Sequence, residues 1–404
     1  MKISCVISEF NPFHNGHRYL IQKQRENGAT HIAAVMSGSF VQRGECAALN
    51  KFDRARSALQ NGVDLVLELP TVWACAAAPV FARGGVSVIK SMGVADSIFF
   101  GSECGDTGLI TDCAKALLSD EFKAAFQSSI NSAPSYAAAV QSAVAETAGE
   151  ECGKILSSPN NLLAVEYVKE LITQNVGIKA ETVSRTGAEH DSSVSSGEFA
   201  SASILREKIG DLNFIRNFVP QNTIPIFEQA METGDTADMQ GLEKIIMYSL
   251  RTASLEKLRQ LPDVSEGLEN RLKQSLDGSK SLDEVIAKAV CRRYSAPRIR
   301  RALCSLILGI DRQMQSEMPP YIRVLGLNSR GSEILRLMKK SCTVPIITKT
   351  AHYKTLLNDS AAKVFEKDLL AADLRSLACN LPMGQDFLRS AVVRSKLRNE
   401  EMKK

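Results

Sequence analysis

No stretch of this 404-residue chain is apolar over the roughly 18 positions that a membrane-crossing helix needs, so no membrane partner is expected. The amino terminus runs straight into an apolar strand pattern and lacks the features of a signal peptide, which points to a cytoplasmic protein. The ten cysteines (Cys5, Cys46, Cys75, Cys104, Cys113, Cys152, Cys291, Cys304, Cys342 and Cys379) include no C-x-x-C pair, and several lie inside apolar runs. Zinc and a disulfide framework therefore fit badly, and reduced buried thiols fit best. Internal repeats and coiled-coil heptads are also missing. Histidine is scarce, at five residues, so two of them three positions apart stand out.

That pair lies in Phe10-Asn11-Pro12-Phe13-His14-Asn15-Gly16-His17. Ile3 to Ile7 reads as a buried strand, Asn11-Pro12 breaks the chain, and Asn15 onward reads as a helix. A strand feeding a helix amino terminus aims backbone N–H groups and the positive end of the helix dipole at an anion. His14 and His17 can face the same point, and Gly16 lets a nucleotide approach the backbone. Two surface histidines near a turn is the plain alternative; the placement at a first strand–helix junction favours the phosphate site. A metal pair is a weaker reading, because two such histidines need further ligands and no Cys or His cluster follows; no metal site is expected.

Strands and helices alternate through residue 105. Strand patterns fall at His31 to Ser37, Asp64 to Leu69 and Ala95 to Phe100, with helical patterns at Asn50 to Asn61 and Val72 to Met92. This rhythm predicts an α/β fold, a Rossmann-like parallel sheet with helices on both faces. Ligands then bind at the carboxyl ends of the strands, where the loops 8–17, 37–45 and 101–106 should converge. Residues 108–175 read as mostly helical, interrupted at Ser157-Ser158-Pro159-Asn160; a strand follows at Ile178 to Ser184, a loop at 189–202 and a helix from Ser203. We expect a Rossmann-like domain over 1–215, a helical domain over 216–318 and a small basic α/β tail over 319–404.

A net charge of +4 conceals an asymmetry. Residues 286–404 carry 23 Lys/Arg against 10 Asp/Glu, whereas residues 1–285 carry 26 against 35. A basic end joined to an acidic half suits a polyanionic partner, although a solvated basic surface is the common alternative.

A second phosphate signal lies at Ser201-Ala202-Ser203-Ile204-Leu205-Arg206. Hydroxyls and amides at a helix start can hold a phosphate that an arginine one turn on neutralises, although most such sequences are ordinary N-caps. Together the two motifs resemble the HIGH superfamily of nucleotidylyltransferases, with Leu205 in place of the usual β-branched residue. That resemblance implies attack on the α-phosphate of ATP with loss of pyrophosphate, catalysed by positioning and charge neutralisation. It implies that His14 and His17 contact the reacting phosphates and Arg206 the departing ones, with Mg²⁺ carried by the triphosphate.

More of the chain is similar to one family, the bacterial tRNA(Met) cytidine acetate ligases. The likeness runs through Glu9-Phe10-Asn11-Pro12-Phe13-His14-Asn15-Gly16-His17 and Met36-Ser37-Gly38-Ser39-Phe40-Val41-Gln42-Arg43-Gly44-Glu45. It continues at Gly62-Val63-Asp64-Leu65-Val66-Leu67-Glu68-Leu69-Pro70, Phe100-Gly101-Ser102-Glu103, Ser158-Pro159-Asn160 and Ser184-Arg185-Thr186-Gly187-Ala188. Looser matches are Arg298-Ile299-Arg300-Arg301 and Arg323-Val324-Leu325-Gly326-Leu327-Asn328. The resemblance implies activation of acetate as acetyl-adenylate, then acetyl transfer to N4 of the wobble cytidine of elongator tRNA(Met). It places ATP along Ile7, Ser8, Glu9, Phe10, Asn11, Pro12, Phe13, His14, Asn15, Gly16, His17, Arg18, Tyr19 and Leu20. Gly101, Asn160, Arg185, Ser201 and Ser203 would complete that site.

Gln42, Arg43 and Lys51 follow the second strand on the ligand side, with a structural salt bridge an equal alternative for Arg43. Residues 292–301 carry Arg292, Arg293, Arg298, Arg300 and Arg301 around Pro297, which suits a helix first turn. Cations there oppose the helix dipole by roughly 0.3–1 kcal/mol each, which makes sense beside an RNA phosphate. Tyr294 reads better as core than as a base-stacking ring. An adenylyltransferase acting on a small phosphorylated metabolite, and a non-enzymatic nucleotide-regulated RNA-binding protein, remain open on the residues alone.

Overall fold

The computed structural model describes residues 1–130, 133, 135–184 and 199–394. Its strands are β1 (Ile3–Ser8), β2 (His31–Ser37), β3 (Phe40–Val41), β4 (Glu45–Cys46), β5 (Leu65–Leu69), β6 (Ser97–Ser102), β7 (Lys179–Ser184), β8 (Ile322–Asn328), β9 (Ile346–Ile347) and β10 (Val392–Arg394). The main sheet runs β10-β8-β5-β2-β1-β6-β7, with β9 beside β8, and β3–β4 form a separate hairpin. β1, β2, β5, β6 and β7 are mutually parallel. β8 is antiparallel to β5.

The central strands are nearly continuously apolar because both faces of the sheet are covered. Side chains of Ile3, Cys5, Ile7, Ala33 and Val35 enter the core on one face. Those of Val6, Ile32, Ala34 and Met36 enter a second core on the other, as the two-residue period of a strand requires. From β1 the chain winds outward to β2 and β5, then returns to the opposite flank as β6 and β7. That reversal opens a crevice at the carboxyl ends of β1 and β6, the position where such sheets take ligands.

Three details depart from expectation. The helical stretch from Val72 divides into Thr71–Ala74 and Ala78–Met92, because Pro79 sits in the first turn of the second helix and has no N–H to continue the first. Residues 40–46 form a hairpin, turned by Gly44 at φ 73. The carboxyl-terminal segment does not make a sheet of its own. Its β8 covers the outer edge of β5 and brings β9 and β10 with it, removing an edge that would otherwise stand open.

The helices Glu243–Thr252, Leu268–Ser275, Leu282–Ala289 and Ala296–Leu308 lie between β7 and β8 in sequence. They bury Ile246, Leu250, Leu272, Val285 and Leu303 in the apolar cluster that also holds one face of the sheet. Among the described residues no helix is long and apolar enough to cross a membrane.

Candidate nucleotide site

β1 ends at Ser8, and Phe10 turns the chain with a left-handed φ of 45, a conformation that costs a non-glycine residue energy and that clusters at functional loops. The helix Asn15–Glu26 then begins, with His14 as its N-cap. His14 Nδ1 accepts the Gly16 N–H at 3.0 Å, and His17 Nδ1 accepts the His14 N–H at 3.3 Å. A capping box is thus built from two imidazoles, whose rings stack with centroids 3.8 Å apart. A neutral imidazole that accepts at Nδ1 carries its proton on Nε2, so each ring becomes an Nε2–H donor. The Phe10 ring meets His17 edge-on at 4.9 Å and fixes its plane.

A cavity of about 350 Å³ opens beside this loop. Ile7, Ser8, Glu9, Phe10, Asn11, His14, His17 and Leu20 line it from the β1 side, Gly101 from β6, Asn160 from the helix Pro159–Thr173, and Ser201, Ser203 and Arg206 from the helix Ala202–Glu207 and its N-cap. Residues far apart in sequence are therefore brought together. Gly16 and Tyr19 border a smaller adjoining hollow with His14, His17 and Gly101. Pro12 and Phe13 are buried; Asn15 donates its N–H to Phe218 O; Arg18 is exposed. Arg185, and the loop expected at 189–202 up to residue 198, lie outside the described residues.

Arg206 Nη1 donates to Asn11 O at 3.0 Å and Nη2 to Ser203 Oγ at 3.3 Å, while Nε lies 3.5 Å from Glu45 Oε2. Asn11 Oδ1 accepts the Ala48 N–H at 2.8 Å. Its Nδ2 is buried without a protein partner, a costly state unless a ligand oxygen completes it. The protein around Glu9 pushes its carboxyl above the usual range, although Arg206, the Gln42 N–H and Arg43 pull the other way. Among the described residues no three His, Cys, Asp or Glu side chains converge so as to hold a metal ion.

Sequence reasoning missed the residues that hold the site in shape. Arg54 is fully buried and donates to Leu49 O, Glu9 O, Ser37 O and Gly38 O, tying the loops after β1 and β2 to one guanidinium. Burial pulls it down to about 9, which leaves it charged at neutral pH. The sequence signal is an arginine in the apolar stripe of Ala55, Ala58 and Leu59. Glu103 accepts from the Asn160 side chain at 2.6 Å and from the Asn161 N–H at 2.7 Å; Asn161 Oδ1 accepts the Glu103 and Cys104 N–H groups in return. This clasp fixes the rotation of the Asn160 amide. Lys51, by contrast, is buried against Glu68 and Asp386, each at 2.7 Å, and does not reach the cavity.

The basic cluster divides. Arg298 donates to Asp263 O and Ser265 Oγ, and Arg301 makes a bidentate pair with Asp263 at 2.7 and 3.2 Å. These cations tolerate the helix start because they anchor the preceding loop. Arg300 pairs with Glu45 at 3.1 Å, and Arg292 and Arg293 are exposed. Tyr294 is core.

The chain matches the HIGH nucleotidyl transferase family model over residues 1–387. It is 38% identical over 387 residues to the tRNA(Met) cytidine acetate ligase of Caldanaerobacter subterraneus subsp. tengcongensis, covering 94% of this chain and 96% of that protein. It is 34% identical over 418 residues to the ligase of the same name from Clostridium kluyveri, covering 98% of this chain and all (100%) of that one. The crystal structure of apo Thermotoga maritima TmcAL superposes with a TM-score of 0.93 at 28% identity, covering 98% of this chain and 100% of that one. TmcAL bound with alpha-thio ATP superposes at 0.91, with the same identity and coverage. A cavity ringed by two imidazole donors, an orphaned amide and an arginine, on a sheet shared with these proteins from end to end, places the chain in the HIGH nucleotidyl transferase family, among the tRNA(Met) cytidine acetate ligases.

Proposed function

We propose that the chain activates acetate with ATP and transfers the acetyl group to N4 of the wobble cytidine of elongator tRNA(Met), acting in the cytoplasm on MgATP. The observation that carries this reading is the grouping of four donor side chains, His14, His17, Asn11 and Arg206, in one cavity at the end of β1. An acetate oxygen attacks the α-phosphorus, the bond to the β-phosphate breaks, and pyrophosphate leaves. The His14 and His17 Nε2–H groups and Asn11 Nδ2 hold phosphate oxygens as charge shifts onto them, and Arg206 takes the charge of the departing pyrophosphate. Each donor is fixed before substrate arrives, so little reorganisation is needed. Gly101 and Asn160 line the nucleoside end, with Arg185 as a further contact. In the second step the cytidine amine attacks the acetyl carbon, the carbon–oxygen bond to the adenylate breaks, AMP leaves, and one amine proton passes to solvent. Arg292, Arg293 and Arg300 face the tRNA, with Arg298 and Arg301 holding the loop beneath them.

Mass spectrometry of elongator tRNA(Met), after incubation with the protein, MgATP and isotope-labelled acetate, tests this directly. One labelled acetyl group at the wobble cytidine, dependent on ATP, is the expected result. Pyrophosphate release with some other acceptor, and no labelled tRNA, would instead support an adenylyltransferase acting on a small metabolite.

A further inference from the structure

A second and larger cavity, of about 590 Å³, lies between the β3–β4 hairpin, the helix Ala202–Glu207 and the helical region. It shares Arg43, Ser203 and Arg206 with the nucleotide cavity, so ligands in the two would touch. Beyond these shared residues, nothing in the adenylation step uses it. Ile246, Ile286 and Leu303 form an apolar wall, and Glu45, Asp238 and Asp283 supply carboxylates. With Glu207, four carboxylates offset the three guanidiniums of Arg43, Arg206 and Arg300, so the lining has no excess positive charge to draw pyrophosphate, whereas its apolar wall suits a planar, uncharged base. At the wall nearest Arg206, the Glu45 carboxylate stands 3.1 Å from the Arg300 guanidinium. Gly44 makes the pairing possible: its hairpin tip packs so tightly against the Arg300–Arg301 backbone that no Cβ fits.

We propose that this cavity is the chamber that receives the target cytosine, flipped out of the anticodon loop, and that Glu45 and Arg300 read its Watson–Crick edge. The proposal rests on the tRNA reading above and specifies where that substrate goes. A carboxylate accepts from the cytosine N4 amino group, and a guanidinium donates to N3 or O2. Uracil presents an oxygen at the same edge position, which Glu45 repels, so the pair rejects it. Extrusion of the base costs little in an unpaired loop. The chamber takes its walls from the β3–β4 hairpin, the helix Ala202–Glu207 and the helical region.

Elongator tRNA(Met) carrying 5-iodocytidine at the wobble position, which keeps the N4, N3 and O2 edge, irradiated with the protein and MgATP, tests the location. Adducts on the segments 43–46 and 282–303 are expected, and adducts only elsewhere would overturn the proposal. Ile286→Trp, which fills the chamber, is the second arm. Acetyl transfer should fall about 100-fold while acetate-dependent ATP–pyrophosphate exchange, which needs no tRNA, continues. Transfer at the wild-type rate would overturn the proposal. A wild-type chain that acetylates unmodified tRNA(Met) but gives misplaced adducts sinks the chamber alone; one that acetylates no tRNA sinks the underlying reading.

Discussion

The nucleotide cavity and the basic helical region are built on opposite plans. Around the cavity, groups are locked by hydrogen bonds: two histidines by their own helix start, Asn160 by the Glu103 carboxylate, and both strand-end loops by Arg54. In the helical region, Arg298 and Arg301 hold a loop, while Arg292 and Arg293 are exposed, Arg292 with a hydrogen bond to Ala133 O. Phosphoryl chemistry loses rate with every fraction of an ångström, so its donors must be fixed. A polyanion is bound by a field, and a field tolerates mobile charges.

Removing the cavity's donors should break this contrast most severely. His14→Ala with His17→Ala takes away both Nε2–H groups, and one such donor is worth about 10²–10³ in rate. ATP–pyrophosphate exchange should fall by at least about 10³-fold while tRNA binding, measured by filter retention, stays near wild type. Parallel loss of tRNA binding would mean that the two regions are not separable. Arg54→Met is expected to come next. It strands four carbonyls around a buried apolar side chain, at a cost of about 3–5 kcal/mol. The denaturant midpoint should drop accordingly, and a midpoint within error of wild type would refute the clamp.

The same contrast explains what could be read without coordinates. β2 falls at the expected residues, because a strand buried on both faces writes itself as a continuous apolar run. That His14, His17 and Arg206 line one cavity was legible because strand–loop–helix junctions gather at the carboxyl ends of the strands. Arg54 and Glu103 were not, since their partners are backbone atoms of distant loops and leave no spacing in the sequence. The roles of Arg298 and Arg301 were equally hidden: a cation's sequence neighbours do not reveal that Asp263 faces it. Nor does an apolar run near residue 322 announce that it pairs with β5.

Where the carboxyl-terminal segment meets the sheet, the molecule carries a pH signature that neither region would have alone. Asp368 accepts from the Tyr321 hydroxyl and the Thr71 N–H, both at 2.7 Å. Burial first, then the nearby Glu68 carboxylate, raises it to about 7. The folded chain thus holds this proton more tightly than the unfolded one. The stabilisation is full in acid, declines as pH rises from the ordinary carboxylate range towards 7, and is gone above it. Asp368→Asn keeps the shape without the titration. Between about pH 5 and about pH 8, wild type should lose on the order of 2 kcal/mol relative to this variant in denaturant titrations. Parallel curves would reject the assignment.

The smallest effects should come from the basic region, and they sharpen the comparison most finely, because arginines a few residues apart should behave differently. Arg292→Ala with Arg293→Ala removes two exposed charges. It should weaken tRNA binding by roughly 1 kcal/mol and reduce the slope of log affinity against log salt by up to about 2, with little change in stability. Arg301→Ala leaves Asp263 without its bidentate partner in a mostly buried setting. It should cost about 1–3 kcal/mol of stability and leave the salt slope near wild type. A salt slope that falls equally in both would mean that Arg301 releases Asp263 and turns to the phosphate when RNA arrives. The basic region would then be a surface rearranged by its partner, unlike the cavity, whose donors are set before ATP binds.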